Sequence, residues 1–246
     1  PFETVIFKYA DGITLKGWFI PAEEESSKTI VFMHGWGMNK GNVFHSTYFL
    51  RKKYNLFYFD FRGSGESGEG LSSIGYVETR DASAAIEKLI QTRPEKCKEI
   101  GLYGLSMGAA VAIYEGAHNA AVKCVAAEAC YYSYEKVVAR WARVHKHVPY
   151  FPLVALALYF AKKRLGIDPE EFSPKHNIEK LAGKPVFIIN GADDSLSPRH
   201  DARKLYHAAK EPKQIWIVPN ATHTEVPMVA GQQYKNRLSE FFDKYL

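Results

Sequence analysis

The chain has 246 residues, of which 46% are hydrophobic and 24% are charged. This composition supplies a hydrophobic core of ordinary globular type and excludes disordered and fibrous architectures. The formal net charge of +5 is a mild excess, far below that of a basic nucleic-acid-binding domain, so no nucleic-acid partner is expected.

The N-terminal region predicts an antiparallel pair of strands. Two β-rich runs, at residues 5–10 and 13–20, flank Asp11-Gly12, which is a typical two-residue hairpin signal.

The rest of the chain alternates between short apolar runs and helical patterns. The predicted strands cover residues 29–33, 56–59, 99–103, 122–127, 186–189 and 214–218. The predicted helices cover residues 42–53, 78–92, 107–119, 199–209 and 231–245. Because such alternation favours a parallel sheet with helices on both faces, the predicted fold is α/β with an antiparallel start.

Residues 131–173 interrupt this alternation. The stretch is too long for a connection and has its own helical periodicity. We interpret it as a helical insertion that covers the site as a lid, while residues 1–130 and 174–246 form the core. Its apolar side chains either line an acyl pocket or pack on the sheet; they are Tyr134, Val137, Val138, Trp141, Phe151, Leu153, Leu156, Tyr159 and Phe160. Seven basic residues between Lys136 and Arg164 suit an anionic substrate or a lipid surface, and equally a solvated face.

The cysteines bear on the cellular compartment. Cys97, Cys124 and Cys130 form neither an even disulfide framework nor a Cys-x-x-Cys pair, so we expect reduced, mostly buried thiols and a cytoplasmic location. Because the chain begins at Pro1, a signal peptide or membrane anchor ahead of it stays open. The longest nearly apolar stretch, residues 148–161, is shorter than the roughly 20 residues of a membrane span.

Residues 104–108 carry the most informative motif. The predicted strand at 99–103 runs directly into Gly104-Leu105-Ser106-Met107-Gly108, and an apolar helical pattern follows. A sharp turn from strand to helix raises a serine hydroxyl above the sheet, and flanking glycines let neighbouring backbone approach. The motif predicts a nucleophilic serine; the structural alternative is a glycine-rich turn with a serine helix cap.

A serine nucleophile requires a histidine base and a carboxylate that orients it. Two later loops follow predicted strands and supply these residue types: residues 190–198 contain Asp193 and Asp194, and residues 219–223 end in His223. Both loops leave the carboxyl ends of parallel strands, where active sites of open α/β sheets lie. Glu128 is a further candidate for the acid, with pairing to a basic residue as its structural alternative.

No cofactor or metal is expected. Residues 63–68 match the Gly-x-Gly-x-x-Gly pattern of dinucleotide-binding proteins. A true fingerprint opens directly into a helix, whereas here a loop rich in glycine and serine continues. The nine histidines show no spacing typical of metal ligands.

Four motifs in chain order resemble those of the α/β-hydrolase superfamily. They are His34-Gly35-Trp36-Gly37, the turn at residues 60–67, the serine motif, and the late aspartate and histidine loops. The resemblance covers nearly the whole chain and is greatest to the branch of small-molecule esterases and prolyl-peptidase-like hydrolases.

The resemblance implies a role for each matching residue. Ser106 would be the nucleophile, His223 the general base and acid, and Asp194 the orienting acid, because Gly191 and Pro198 frame it as in the family's pattern. The backbone N–H groups of Trp36 and Met107 would form the oxyanion hole. The supporting positions would be His34, Gly35, Gly104 and Gly108.

The sequence therefore predicts a serine hydrolase that needs no cofactor. It would cleave a small-molecule carboxylic ester or thioester through an acyl-enzyme on Ser106. One alternative is a peptidase, amidase or acyltransferase with the same triad. Another is a catalytically inactive hydrolase-like binding protein, which would have a displaced triad or a blocked pocket. The oligomeric state stays open.

Overall fold

A computed structural model describes residues 2–246, in which eight strands form one sheet. The strands are β1 (Glu3–Lys8), β2 (Thr14–Ile20), β3 (Lys28–Met33), β4 (Asn55–Phe59), β5 (Glu99–Leu105), β6 (Val122–Glu128), β7 (Val186–Gly191) and β8 (Lys213–Val218). Their spatial order is β1-β2-β4-β3-β5-β6-β7-β8. Strand β2 pairs antiparallel with β1 and β4, and the other neighbours are parallel. The predicted α/β fold with an antiparallel start is confirmed.

Helices cover both faces of this sheet. In chain order they are α1 (Lys40–Thr47), α2 (Tyr76–Thr92), α3 (Met107–His118), α4 (Tyr134–Lys146), α5 (Ala155–Leu165), α6 (Pro174–Asn177), α7 (Arg199–Ala208), α8 (Val226–Ala230) and α9 (Gln232–Tyr245). Helices α2, α3 and α7 pack on one face, and α1 and α9 pack on the other.

Strand β3 shows why both faces need cover. Val31 and Met33 belong to the core on one face, whereas Ile30 and Phe32 belong to the core on the other. Successive side chains of a strand point to opposite faces, so a strand that is apolar at every position must be buried on both.

The connection between β1 and β2 is longer than predicted. Strand pairing ends with Lys8 opposite Thr14, which leaves residues 9–13 in the loop. Gly12, at a φ of +85°, donates its N–H to the Tyr9 carbonyl at 2.9 Å. The expected two-residue hairpin is therefore wrong: the Asp-Gly pair marks the turn, but the glycine takes the left-handed position of a longer loop.

The helix predicted over residues 42–53 is also different. Helix α1 ends at Thr47, and Tyr48–Lys52 form a 3-10 helix. The hydroxyls of Ser46 and Thr47 both donate to the Val43 carbonyl. Such back-bonding competes with the α-helical ladder, which accounts for the early end.

Residues 131–173, called the helical segment below, lie between β6 and β7. They contain α4, a π-helical turn (Tyr150–Val154) and α5. No residue of α5 is fully buried.

Two further observations concern the whole described chain. Cys97, Cys124 and Cys130 are free and buried. Within residues 2–246, every helix is too short or too polar to cross a lipid bilayer.

Candidate active site

Ser106 occupies the sharp turn between β5 and α3. Its backbone has a φ of +55° and a ψ of −112°, a strained conformation for a residue with a side chain. The Ser106 N–H donates to the Glu128 carbonyl at 2.8 Å, and the Ser106 carbonyl accepts the N–H groups of Ala109 and Ala110. Bonds to β6 on one side and α3 on the other thus hold the serine at the carboxyl end of the sheet.

The two glycines of this motif are required by space. A Cβ at Gly104 would lie 2.2 Å from the Gly108 carbonyl oxygen, and a Cβ at Gly108 would lie 2.2 Å from the Met33 carbonyl oxygen. Backbone atoms cannot swing aside as the end of a side chain can. A larger residue at either position would therefore push α3 away from the sheet.

His223 joins the serine to a carboxylate, although it lies 117 residues from Ser106 along the chain. Its Nε2 is 2.8 Å from Ser106 Oγ, and its Nδ1 is 2.7 Å from Asp194 Oδ2. A carboxylate binds the protonated ring nitrogen, so Nδ1 donates and Nε2 of the neutral ring can accept from the serine hydroxyl. This arrangement can transfer the serine proton to the ring while the carboxylate stabilises the resulting charge.

Asp194 is held rigidly in the loop after β7. It is buried, and its Oδ1 accepts the N–H groups of Leu196 and Ser197 at 2.8 and 2.7 Å. The adjacent Asp193 is exposed. Its N–H donates to the Ala221 carbonyl at 3.0 Å, which ties the aspartate loop to the histidine loop. Of the two neighbouring aspartates, the structure brings Asp194 to the histidine.

Both residues of the predicted oxyanion hole line the same cavity as Ser106. Gly35 brings the loop after β3 close to the serine: a Cβ at Gly35 would lie 3.4 Å from the Ser106 Cβ. Trp36 and Met107 both line the cavity. Among residues 2–246, no protein group accepts a hydrogen bond from either of their N–H groups. Each of these two cavity residues thus has a backbone N–H without an acceptor in the described part of the chain.

His34 supports this loop from beneath. Its Nε2 accepts the Phe61 N–H at 3.0 Å, so its Nδ1 carries the proton and donates to the Gly35 carbonyl at 2.8 Å. The ring is buried, and burial lowers the pKa of His34. A neutral ring therefore links the loop after β3 to the loop after β4.

A cavity of about 440 Å³ opens onto Ser106 and His223. The helical segment contributes Val137, Val138 and Trp141 to its wall. These are three of the nine apolar side chains for which the sequence allowed either a role in the pocket or packing on the sheet. The other six do not line it. Tyr134 is buried elsewhere, and five are exposed: Phe151, Leu153, Leu156, Tyr159 and Phe160.

Some cavity residues carried no sequence signal. Met38 and Ile74 line the wall but lie outside any motif, whereas Leu196 lies in the aspartate loop without a predicted role. Ile74 has a φ of +57°, which is unusual for a β-branched residue. The Tyr131 hydroxyl donates to the Ile74 carbonyl at 2.8 Å, so a tertiary contact helps to hold this strained backbone in the wall.

Glu128 lies buried behind the serine turn and does not contact His223 through a hydrogen bond. Its Oε2 accepts the hydroxyls of Tyr103 and Tyr234, each at 2.9 Å. Its Oε1 has no hydrogen-bond partner in the described part of the chain. Burial raises the pKa of Glu128 to about 7, although both tyrosines and the nearby His223 oppose the rise.

The glycine pattern of residues 63–68 closes a turn instead of opening a helix. The Gly63 N–H donates to the Gly68 carbonyl at 2.9 Å, and the Gly68 N–H donates to the Thr14 carbonyl at 2.7 Å. The next helix, α2, begins only at Tyr76. Across residues 2–246, no group of three His, Cys, Asp or Glu side chains is arranged to hold a metal ion.

Comparison with known families shows which family this fold belongs to. A family model described as "Serine aminopeptidase, S33" and called Hydrolase_4 matches residues 24–171, a range that includes Ser106. The chain belongs to this α/β-hydrolase family. Uncharacterized protein YqkD of Bacillus subtilis strain 168 is 30% identical to this hydrolase over 237 residues, which cover 95% of this chain and 77% of YqkD.

Solved structures agree with this assignment. The Pyrococcus furiosus esterase Pf2001 is 26% identical, with a TM-score of 0.79, and the match covers 100% of this hydrolase and 93% of that chain. A Pyrococcus horikoshii acylaminoacyl peptidase is 20% identical with a TM-score of 0.72; the match covers 100% of this chain and 42% of the peptidase, and it shows the fold alone. The resemblance to α/β-hydrolases predicted from the sequence is confirmed, and the protein is an enzyme of that fold.

Proposed function

We propose that this hydrolase cleaves carboxylic esters or thioesters with apolar acyl groups, through an acyl-enzyme on Ser106. The hydrogen-bond chain from Ser106 Oγ through His223 to Asp194, with lengths of 2.8 and 2.7 Å, carries the proposal. A hydroxyl at its ordinary pKa is a weak nucleophile, and this chain supplies the base that activates it.

The reaction would proceed in two halves. As Ser106 Oγ attacks the acyl carbon, His223 takes the hydroxyl proton and Asp194 stabilises the imidazolium. The N–H groups of Trp36 and Met107 would donate to the oxyanion. The leaving alcohol or thiol departs with the proton from His223. Water then attacks the acyl carbon and gives a proton to His223; the bond between the acyl carbon and Ser106 Oγ breaks, His223 returns the proton to Oγ, and the acid product leaves.

The cavity wall supports an apolar acyl group. Besides Ser106 and His223, most of the lining residues are apolar, among them Met38, Val138 and Leu196, and the volume suits a small molecule. We propose that the helical segment acts as its lid, because Trp141 meets Trp36 edge to face, with ring centroids 5.2 Å apart. The lid would then touch the loop that carries one of the two oxyanion donors.

A peptidase is the second candidate, favoured by the description of the family model. An aminopeptidase substrate carries a charged α-amino group, and burying a charge without a partner is costly. The cavity lining contains aromatic, aliphatic, histidine and serine side chains but no carboxylate within the described chain. An ester therefore suits the wall better than a free peptide N-terminus. Parallel turnover of matched ester, thioester, amide and aminoacyl-amide substrates distinguishes these reactions.

The test of the nucleophile combines labelling with turnover. A fluorophosphonate probe should label the wild-type protein at Ser106, and p-nitrophenyl esters of increasing chain length should be hydrolysed. Ser106→Ala should lose the label and about 10⁴-fold or more in kcat. Unlabelled wild-type protein without ester turnover would instead support the inactive binding protein, and a fully active variant would exclude Ser106 as nucleophile.

Adjacent aspartates offer a matched pair for the acid. Asp194→Asn should lower kcat by about 10⁴-fold, because the amide favours the wrong ring tautomer of His223. Asp193→Asn changes an exposed neighbour and should leave kcat near the wild-type value. Equal losses in both variants would contradict the role of Asp194.

A further inference from the structure

The outer surface of the helical segment is unusually apolar. Six large side chains within residues 150–160 are exposed: Tyr150, Phe151, Leu153, Leu156, Tyr159 and Phe160, called the apolar patch below. Their exposed fractions run from 46% for Tyr150 to 78% for Phe151. Scattered exposed apolar residues are normal, but a concentrated group of this kind marks a binding surface.

Helix α5 presents half of this patch as a stripe. Leu156, Tyr159 and Phe160 are spaced i, i+3, i+4, so they share one face of the helix. The rings of Tyr159 and Phe160 are 5.6 Å apart. Ala155 and Leu158 line a groove together with Tyr159 and residues of α4, so Tyr159 lies at the edge between the groove and the outer stripe. The helix is therefore apolar on its inner and its outer side.

The π-helical turn extends the stripe. Tyr150 lines the same groove as Tyr159, which places the start of the turn beside α5. Phe151 and Leu153 follow within the turn and are 78% and 54% exposed. The six side chains thus belong to neighbouring elements and form one region of the surface.

Along the chain, the charge on either side of the patch is positive, whereas acidic side chains lie on its groove side: Glu135 accepts the Tyr150 hydroxyl, and Asp168 and Glu170 line the groove with Tyr159. From Lys136 to Arg164 the chain contains seven Lys and Arg residues and no Asp or Glu. Arg143 and Lys146 precede the patch, while Lys163 and Arg164 follow it, and all four are exposed. None of these four forms a salt bridge within residues 2–246. Cations without acidic partners therefore flank the apolar side chains at both ends.

We propose that the apolar patch and its flanking cations bind the surface of an anionic phospholipid membrane. Aromatic and aliphatic side chains would enter the boundary between headgroups and acyl chains, and the Lys and Arg side chains would contact the phosphates. Charge complementarity favours this occupant over a second copy of the chain, since self-association through the patch would bring two sets of cations together.

Membrane binding would also place the cavity near lipid. Helix α4 lines the catalytic cavity with Val138 and Trp141, and it lines the groove beside α5 with Tyr134 and Glu135. The helix that borders the cavity thus also borders the membrane-binding elements. The inference does not depend on the proposed reaction, because it concerns a surface outside the cavity.

Vesicle sedimentation tests the inference directly. The wild-type protein should sediment with vesicles of phosphatidylcholine mixed with phosphatidylglycerol. Its affinity for vesicles of phosphatidylcholine alone should be lower by about tenfold or more, because the flanking cations then lack anionic partners. Raising the salt concentration should release the protein from the anionic vesicles. Phe151→Ser/Phe160→Ser and, separately, Lys163→Glu/Arg164→Glu should each lower binding about tenfold or more. No sedimentation of the wild-type protein with anionic vesicles would overturn the proposal.

A matched control and a second readout separate this effect from misfolding. Met228 is 74% exposed in α8, and Met228→Ser should leave vesicle binding unchanged. All variants should keep the wild-type melting temperature and the turnover of a soluble ester. If Met228→Ser weakened binding as much as the patch variants, the patch would not be the site. Analytical ultracentrifugation that showed a dimer lost in Phe151→Ser/Phe160→Ser would assign the patch to a second copy instead.

Discussion

Helices α3 and α5 are both rich in apolar residues, yet α3 is largely buried and α5 is largely exposed. Nine of the 12 residues of α3 are buried, whereas none of the 11 residues of α5 is. The difference comes from what lies beside each helix. Helix α3 packs against β5 and β6 and joins the core on one face of the sheet. Helix α5 contacts mainly the π-helical turn and the short turn before α6, so no part of residues 2–246 covers its outer face.

The same contrast holds for polar groups. The sheet region buries carboxylates and surrounds them with donors: Asp194 accepts two backbone N–H groups and the His223 ring. A carboxylate of the helical segment pairs at the surface instead: Asp168 and its partner Lys162 are 37% and 58% exposed. The acid of the candidate site therefore lies buried in the sheet region, whereas this ion pair of the helical segment meets solvent.

Replacing a glycine by alanine should give the largest difference in unfolding free energy between the two regions. Gly108→Ala places a Cβ 2.2 Å from backbone oxygen and should lower the free energy of unfolding by about 4 kcal/mol or more. At Gly166, after α5, an added Cβ would meet open space, and only the left-handed φ of +71° disfavours alanine. Gly166→Ala should therefore lower the free energy of unfolding by about 1 kcal/mol. Urea unfolding measures both, and comparable losses would contradict the contrast between the regions.

Truncation of apolar side chains to alanine should give the next largest difference in unfolding free energy between the two regions. Ile113 is completely buried in α3, and Ile113→Ala should cost about 3–4 kcal/mol of unfolding free energy. Leu156 is 50% exposed in α5, and Leu156→Ala should change stability by less than about 0.5 kcal/mol. Thermal and urea unfolding of the two variants give the comparison. A large loss in Leu156→Ala would show that α5 is packed in solution.

The buried Glu128 should make the sheet region sensitive to pH. Its pKa is about 7 in the fold and about 4.3 in an unfolded chain. The folded state therefore holds the proton more tightly. The corresponding stabilisation is complete below about pH 4.3 and is lost as the pH rises through about 7. Relative to Glu128→Gln, the wild-type protein should lose about 3 kcal/mol of unfolding free energy across this window.

The measurement is urea unfolding of both proteins at several pH values. The buried Glu115, whose pKa burial also raises to about 7, is present in both proteins, so its contribution cancels in the difference. Glu171→Gln, at an exposed glutamate of the helical segment, keeps Glu128 and serves as the control, so its stability should follow that of the wild-type protein at every pH. If the unfolding free energies of the wild-type protein and Glu128→Gln differed by the same amount at every pH, the raised pKa of Glu128 would be contradicted.

The elements that the sequence predicts correctly are those fixed by local constraints. The strand, the Gly-x-Ser-x-Gly turn and the helix after it are contiguous, and backbone sterics at Gly104 and Gly108 allow little else. The two-sided cover of β3 follows from its unbroken apolar run. By contrast, Asp193 and Asp194 are chemically alike neighbours. The family resemblance selects Asp194 through its framing by Gly191 and Pro198, and the loop geometry that exposes one aspartate and buries the other brings Asp194 to His223.

The sequence by itself determined the α/β fold, the position of the serine turn and the residue types that follow the late strands, because these depend on short-range periodicity and backbone sterics. Tertiary structure alone decided which loop residues form the cavity, as the strained Ile74 shows. It also decided that Phe151 and Phe160 face solvent while Val137 and Val138 face the cavity. Burial depends on which surface a helix meets, and helical periodicity carries no information about that partner.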